Sequence, residues 1–192
     1  MNGMKIIKES FKVLILGSLL SSIGGLSLDF IRMKLSLFTP LIIVLPALTD
    51  MIGDAGTIVV SKITTYLYLG KFKKEILPDF VKKLFLMLIK LFSLSAVYVT
   101  FLALFIGYLK GFNFNILFLI KMLIIVLLTT LSIMIIIFSV ALIGGRYTFK
   151  RNIDPDDMLI PLTTSIADLG SLIIFSLLVF YFFYSFRFFK FI

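Results

Sequence analysis

The chain has 192 residues, of which 60% are apolar and 15% charged, and its formal net charge is +9. Apolar runs of 18 or more residues recur, which indicates a membrane protein and excludes a soluble globular domain. Cysteine and histidine are both absent. Disulfide frameworks, zinc sites of the usual kind and Cys/His catalysis are therefore excluded. We expect a single all-α membrane domain.

The apolar runs predict five transmembrane helices in chain order, at residues 12–31, 38–69, 82–109, 113–144 and 157–185. Residues 1–11 are then a cytoplasmic N-terminal segment, 12–185 the transmembrane domain and 186–192 a C-terminal tail. The second span is ~45 Å long at about 1.5 Å per residue, so it exceeds a ~30 Å hydrocarbon core. Gly53 and Gly56 in its middle predict either a break or a close helix contact.

The placement of lysine and arginine predicts the orientation. The N-terminus, the second loop and the fourth loop share one side, with eleven basic residues: Lys5, Lys8, Lys12, Lys71, Lys73, Lys74, Lys82, Lys83, Arg146, Lys150 and Arg151. Five lie on the other side: Arg32, Lys34, Lys110, Arg187 and Lys190. The positive-inside rule puts the N-terminus in the cytoplasm and the C-terminus outside the cell membrane. This orientation bias and the attraction of basic residues to lipid head groups explain the net positive charge, so the charge does not indicate nucleic-acid binding.

Three carboxylates lie well inside the spans, namely Asp50 and Asp54 in the second and Asp168 in the fifth. Asp50 and Asp54 are four residues apart and share one helix face. Counted from the cytoplasmic span ends, Asp54 and Asp168 fall at similar depth near the midplane. An acid there costs about 2.5–3.5 kcal/mol, which a bound metal cation would offset. The alternative is that an acid pairs with an intramembrane lysine and serves only packing; the candidate lysines are Lys62, Lys90 and Lys121.

The fifth span also contains a proline and a run of hydroxyl residues before its acid. Pro161 lacks a backbone donor and frees carbonyls in the preceding turn. The hydroxyls of Thr163, Thr164 and Ser165 either offer oxygens to an ion or donate back to their own helix. Mg²⁺ prefers oxygen ligands and loses water reluctantly, so a carboxylate that binds its waters is sufficient. The predicted metal-binding residues are Asp168, Asp54, Asp50 and Thr164.

These motifs resemble the membrane domain of the MgtE-type magnesium channels and their eukaryotic solute-carrier relatives. In that family the second helix carries a proline, a Gly-Asn-x-Gly segment and a later glycine. The fifth carries Asp-Pro, a second proline, a Thr/Ser pair and an acid that lines the ion path. The corresponding residues here are Pro46, Gly53-Asp54-Ala55-Gly56, Gly70, Asp154-Pro155, Pro161, Thr164-Ser165 and Asp168. Asp54 replaces the family's Asn, and Ile58 stands where a Gln is usual.

The resemblance implies a Mg²⁺ channel or transporter with its ion path at the axis of a homodimer, and no enzymatic activity. Two copies of Asp54 and Asp168 would line that path, which other divalent cations could also enter. Many bacterial members carry cytoplasmic sensor domains, whose gating we expect to be missing here or supplied by another protein. Two alternatives stay open: a non-conducting or regulatory half that pairs with another five-helix subunit, and an intramembrane aspartyl protease, whose Gly-x-Gly-Asp pattern is matched only in part.

Overall fold

The computed structural model describes residues 3–69, 77–151 and 153–184, and the regular elements within these ranges are all helical. The helices are α1 (Gly3–Leu26), α2 (Arg32–Leu37), α3 (Thr39–Tyr68), α4 (Leu77–Leu109), α5 (Ile116–Lys150) and α6 (Pro155–Tyr184), with a 3₁₀ turn at Asp29–Ile31. Five segments of the described ranges are long and apolar enough to cross a membrane, the first being Leu14–Leu37. The predicted all-α class and the five spans are confirmed.

Several helix ends differ from the predicted ones. The first helical segment begins at Gly3 and the turns continue to Leu37, α4 begins at Leu77 instead of residue 82, and α5 continues to Lys150 instead of residue 144. A helix satisfies its own backbone hydrogen bonds, so it can continue past the apolar segment that hydropathy detects. Residues 77–81 of the predicted loop between the second and third spans therefore belong to α4. The remainder of that loop, with Gly70, and the C-terminal tail lie outside the described residues.

The predicted break in the second span is wrong, because α3 is one continuous helix through both Gly53 and Gly56. The alternative, a close helix contact, is right for Gly56. A Cβ atom at this position would lie 3.0 Å from Thr163 Oγ1 on α6, whereas a Cβ at Gly53 would meet nothing within 4 Å. Gly56 therefore serves packing and not flexibility, since small residues let two backbones approach in a membrane.

Helix α6 is the central element of the bundle. It packs against α1, α3 and α5, while α4 packs against α3 and α5. Close approach again depends on glycine: a Cβ at Gly170 would lie 2.5 Å from Ile133 Cδ1 on α5, and one at Gly24 would lie 2.9 Å from Leu169 Cα. Gly170 thus has a packing role. Three neighbouring helices therefore set the position of α6 in the bundle.

Candidate metal-binding site

Asp168 lies near the middle of α6 and is partly buried. Its Oδ2 atom accepts a hydrogen bond of 3.1 Å from the hydroxyl of Ser21 on α1. Its backbone carbonyl accepts a second bond of 3.1 Å from the Ser171 hydroxyl. The carboxylate is therefore held from the α1 side by a neutral donor and not by a cation.

A cavity of about 480 Å³ lies beside Asp168, between α3 and α6. Its lining residues are Pro46, Ala47, Thr49, Asp50 and Asp168. The cavity opens at the surface of the subunit, because Pro46 and Asp50 are exposed. Six waters occupy roughly 180 Å³ at about 30 Å³ each, so the space accommodates an octahedrally hydrated Mg²⁺. Two helices thus bring two carboxylates to one recess, as a cation site requires.

The two helices that line the cavity run antiparallel, and Gly56 of α3 meets Thr163 of α6. Counting from this contact, each residue towards the start of α3 is therefore level with one residue towards the end of α6. Asp50 is then level with Asp168, while Asp54 lies one turn away, about 6 Å, near the level of Thr164. This corrects the predicted depth, which paired Asp54 with Asp168. The register between two packed helices cannot be counted from approximate span ends.

The acids of α3 lie on one exposed stripe. Ile42, Pro46, Asp50 and Asp54 repeat every fourth residue, and all four side chains are exposed on the single subunit. The prediction that Asp50 and Asp54 share a face is confirmed. Charged groups inside a membrane face a protein interior or a water-filled path and not lipid. Water or a second polypeptide must therefore cover this stripe.

The hydroxyl run of α6 splits into one accessible and two buried side chains. Thr163 is 0% exposed and Ser165 8%, and both donate to carbonyls of the preceding turn. Thr164 is partly exposed, and its hydroxyl proton goes to the carbonyls of Ile160 and Pro161 at 3.0 Å each. Because its proton is used within the helix, the Thr164 oxygen presents only acceptor lone pairs outward.

Pairing of Asp168 with an intramembrane lysine is not observed in the described ranges. Lys121 donates to the carbonyl of Phe182 at 3.1 Å. Phe182 is ~21 Å along α6 from Asp168 at about 1.5 Å per residue, so Lys121 cannot also reach that carboxylate. The remaining two candidates, Lys62 and Lys90, are exposed on the outer surface of their helices. The lysine hypothesis is therefore wrong for Asp168.

Sequence reasoning missed Ser21, Ala47 and Thr49 as neighbours of the acids. A usable signal for Ser21 exists, because Gly17, Ser21 and Gly24 share one face of α1 at helical spacing, which predicts a close helix contact. That pattern does not identify the partner helix. Ala47 and Thr49 carry no chemical signal of their own and become neighbours of Asp168 only through the packing of α3 on α6.

A protein-family model described as MgtE, divalent cation transporter, matches residues 45–178. The match covers well over half of the chain, from within α3 through most of α6. The chain belongs to this family. It is a multi-pass membrane protein of the MgtE divalent cation transporters, which are transporters and channels and not proteases. Comparisons with curated proteins and with solved structures gave no significant match.

The absence of native cysteine allows a direct test of whether the cavity contains water. Ala47→Cys, in the cavity lining, should react in liposomes with a charged, water-soluble thiol reagent, and Mg²⁺ should slow the reaction. Ala55→Cys is the matched control, because Ala55 lies on the same helix and is only 1% exposed. Equal labelling of both positions, or no labelling of Ala47→Cys, would contradict a water-filled cavity.

Proposed function

We propose that this chain transports Mg²⁺ through a path at the axis of a homodimer, lined by α3 and α6 of both subunits. The observation that carries the proposal is the cavity that Asp50 and Asp168 line together, between two helices long and apolar enough to cross a membrane. An acid at that depth is costly unless a cation or water meets it. The family supplies the coarser conclusion of divalent cation transport. The ion, the dimer and the lining residues are the further proposal.

The ligand chemistry supports Mg²⁺ in particular. The side chains that line the cavity offer only oxygen ligands, because they belong to Asp50, Asp168 and Thr49 beside Pro46 and Ala47. Carboxylate, hydroxyl and carbonyl oxygens suit Mg²⁺, whereas thiolate and imidazole suit zinc and other transition metals. Mg²⁺ keeps most of its waters, so Asp50 and Asp168 can bind it through hydrogen bonds to those waters.

The exposed stripe on α3 supports a homodimer. A single subunit leaves Asp50 and Asp54 uncovered at membrane depth, which lipid does not tolerate. A two-fold axis that faces the stripe would cover it with its own copy and enclose water between the two recesses. Each level of the path would then carry acids from both subunits. A divalent cation would offset their mutual repulsion, which favours Mg²⁺ over monovalent ions.

Two levels of oxygen ligands would follow each other along this path. Asp50 and Asp168 form one level, and Asp54 with Thr164 forms the next, about one helical turn towards the cytoplasm in the proposed orientation. At Thr164 the acceptor lone pairs would take hydrogen bonds from the waters of the ion. Transport would be driven by the ion gradient and the membrane potential, which supplies about 2.3 kcal/mol per charge per 100 mV.

Asp168→Asn is the decisive variant for this proposal. It keeps the side-chain shape and one acceptor oxygen but removes a negative charge from each subunit. Mg²⁺ uptake into liposomes should fall by about a hundredfold, equivalent to ~2.8 kcal/mol at 1.4 kcal/mol per tenfold change, while the dimer stays folded. Asp29→Asn, an exposed acid near the end of the first span, is the control and should transport normally. Wild-type uptake by Asp168→Asn would refute the mechanism.

Asp54→Asn restores the residue that is usual in the family and tests the second level of the path. We expect a working transporter with altered competition among Mg²⁺, Mn²⁺ and Co²⁺, since one charge per subunit is lost but an acceptor remains. Asp50→Asn, at the level of Asp168, should reduce uptake more strongly. Competition curves for Asp54→Asn that match wild type, together with a lowered melting temperature, would assign Asp54 a structural role instead.

Cysteine cross-linking tests the dimer axis. Ile42→Cys lies on the α3 stripe, and Leu94→Cys on α4 is the exposed control; their native side chains are 49% and 71% exposed on the single subunit. A short bifunctional thiol reagent in membranes should cross-link Ile42→Cys into dimers and leave Leu94→Cys monomeric on denaturing gels. The reverse pattern, or an active species whose mass in detergent is that of one subunit, would overturn the proposed axis.

A further inference from the structure

The hydroxyl of Ser21 differs from those beside it on α1. Ser18 donates to the carbonyl of Ile15 at 2.9 Å, and Ser22 donates to the carbonyl of Ser18 at 2.8 Å. Such back-bonding within the helix is the usual fate of a serine in an apolar helix. Ser21 instead donates across the helix interface, to Asp168 Oδ2 at 3.1 Å. The Ser21 hydroxyl therefore donates to the acid and not to a carbonyl of its own helix.

The packing of α1 on α6 brings this hydroxyl to the carboxylate. Gly17 and Gly24 lie on the same face of α1 as Ser21, one turn before and one turn after it. A Cβ at Gly17 would collide with the Ser165 hydroxyl, and one at Gly24 would lie 2.9 Å from Leu169 Cα. Only glycine at both positions lets the backbones of α1 and α6 approach each other this closely. The short Ser21 side chain can then reach Asp168.

We propose that Ser21 is a positioning residue for Asp168, one that fixes the carboxylate from the α1 side and leaves its other oxygen for the hydrated cation. The inference rests on the proposed transport function and extends it to a helix that forms no part of the proposed path lining. Residues 45–178, which match the family, do not include α1. The family match therefore assigns no role to Ser21.

A neutral donor suits this role better than a cationic one. A lysine or arginine at the same place would also fix the carboxylate, but its charge would cancel the field that attracts the ion and would compete with it. A hydroxyl bonded to an ionised oxygen restrains its direction and retains the negative charge. Groups behind a metal-binding side chain commonly contribute 10- to 100-fold to affinity by orienting it.

The test compares Ser21→Ala with Ser22→Ala by Mg²⁺ uptake in liposomes. Ser21→Ala should raise the apparent KM by about tenfold, with little change in the maximal rate, in dimer mass or in melting temperature. Ser22→Ala removes a neighbouring hydroxyl that bonds only within α1 and should leave the KM at the wild-type value. Ser21→Thr retains the donor and should restore a KM close to wild type.

A wild-type KM in Ser21→Ala, beside normal wild-type uptake and the loss of uptake in Asp168→Asn, would overturn this inference alone. Equal KM changes in Ser21→Ala and Ser22→Ala would also overturn it, because the effect would then belong to α1 as a whole. No uptake by the wild-type protein would refute the transport function and this inference together. If Ser21→Ala does not fold, Ser21→Thr and Ser21→Val replace it in the test, because these two variants have the same shape and differ only in the hydroxyl. Equal KM values for the two would contradict the proposal.

Discussion

A negative charge in the middle of a bilayer is the constraint on which the rest of this structure depends. Asp168 would cost about 2.5–3.5 kcal/mol in an apolar helix surrounded by lipid. The bundle surrounds it with a hydroxyl donor from α1 and a recess shared with Asp50. Neither group carries a positive charge, which is why we propose that a cation binds here. A lysine partner would have satisfied the acid structurally and removed its ability to attract an ion.

The central position of α6 is the architectural consequence of that constraint. Three helices contact it: α1 supplies the hydroxyl donor, α3 supplies the second carboxylate of the recess, and α5 supplies packing. Lipid supplies no hydrophobic force that drives helices together, so close packing depends on small residues. Gly24, Gly56 and Gly170 supply those contacts. The glycines set the helix spacing, which in turn sets the distances at the site.

The single chain leaves the acidic stripe of α3 uncovered, so this part of its surface is not suited to contact with lipid. Exposed apolar side chains elsewhere on the bundle can face lipid, whereas exposed aspartates within a span cannot. This contrast, and not any measure of hydrophobic area, argues for a second copy at this face. In the proposed dimer the cation path would lie between the two bundles of five helices.

The sequence by itself determined the helical class, the five spans, the common face of Asp50 and Asp54 and the motif from Asp154 to Asp168, because these follow from local periodicity and fixed covalent spacing. Tertiary structure decided what depends on contacts between helices. It made α3 continuous through Gly53, placed Asp50 instead of Asp54 level with Asp168, and brought Ser21 to the carboxylate. Helix register and helix choice are set by how small residues let backbones approach, which no single helix encodes alone.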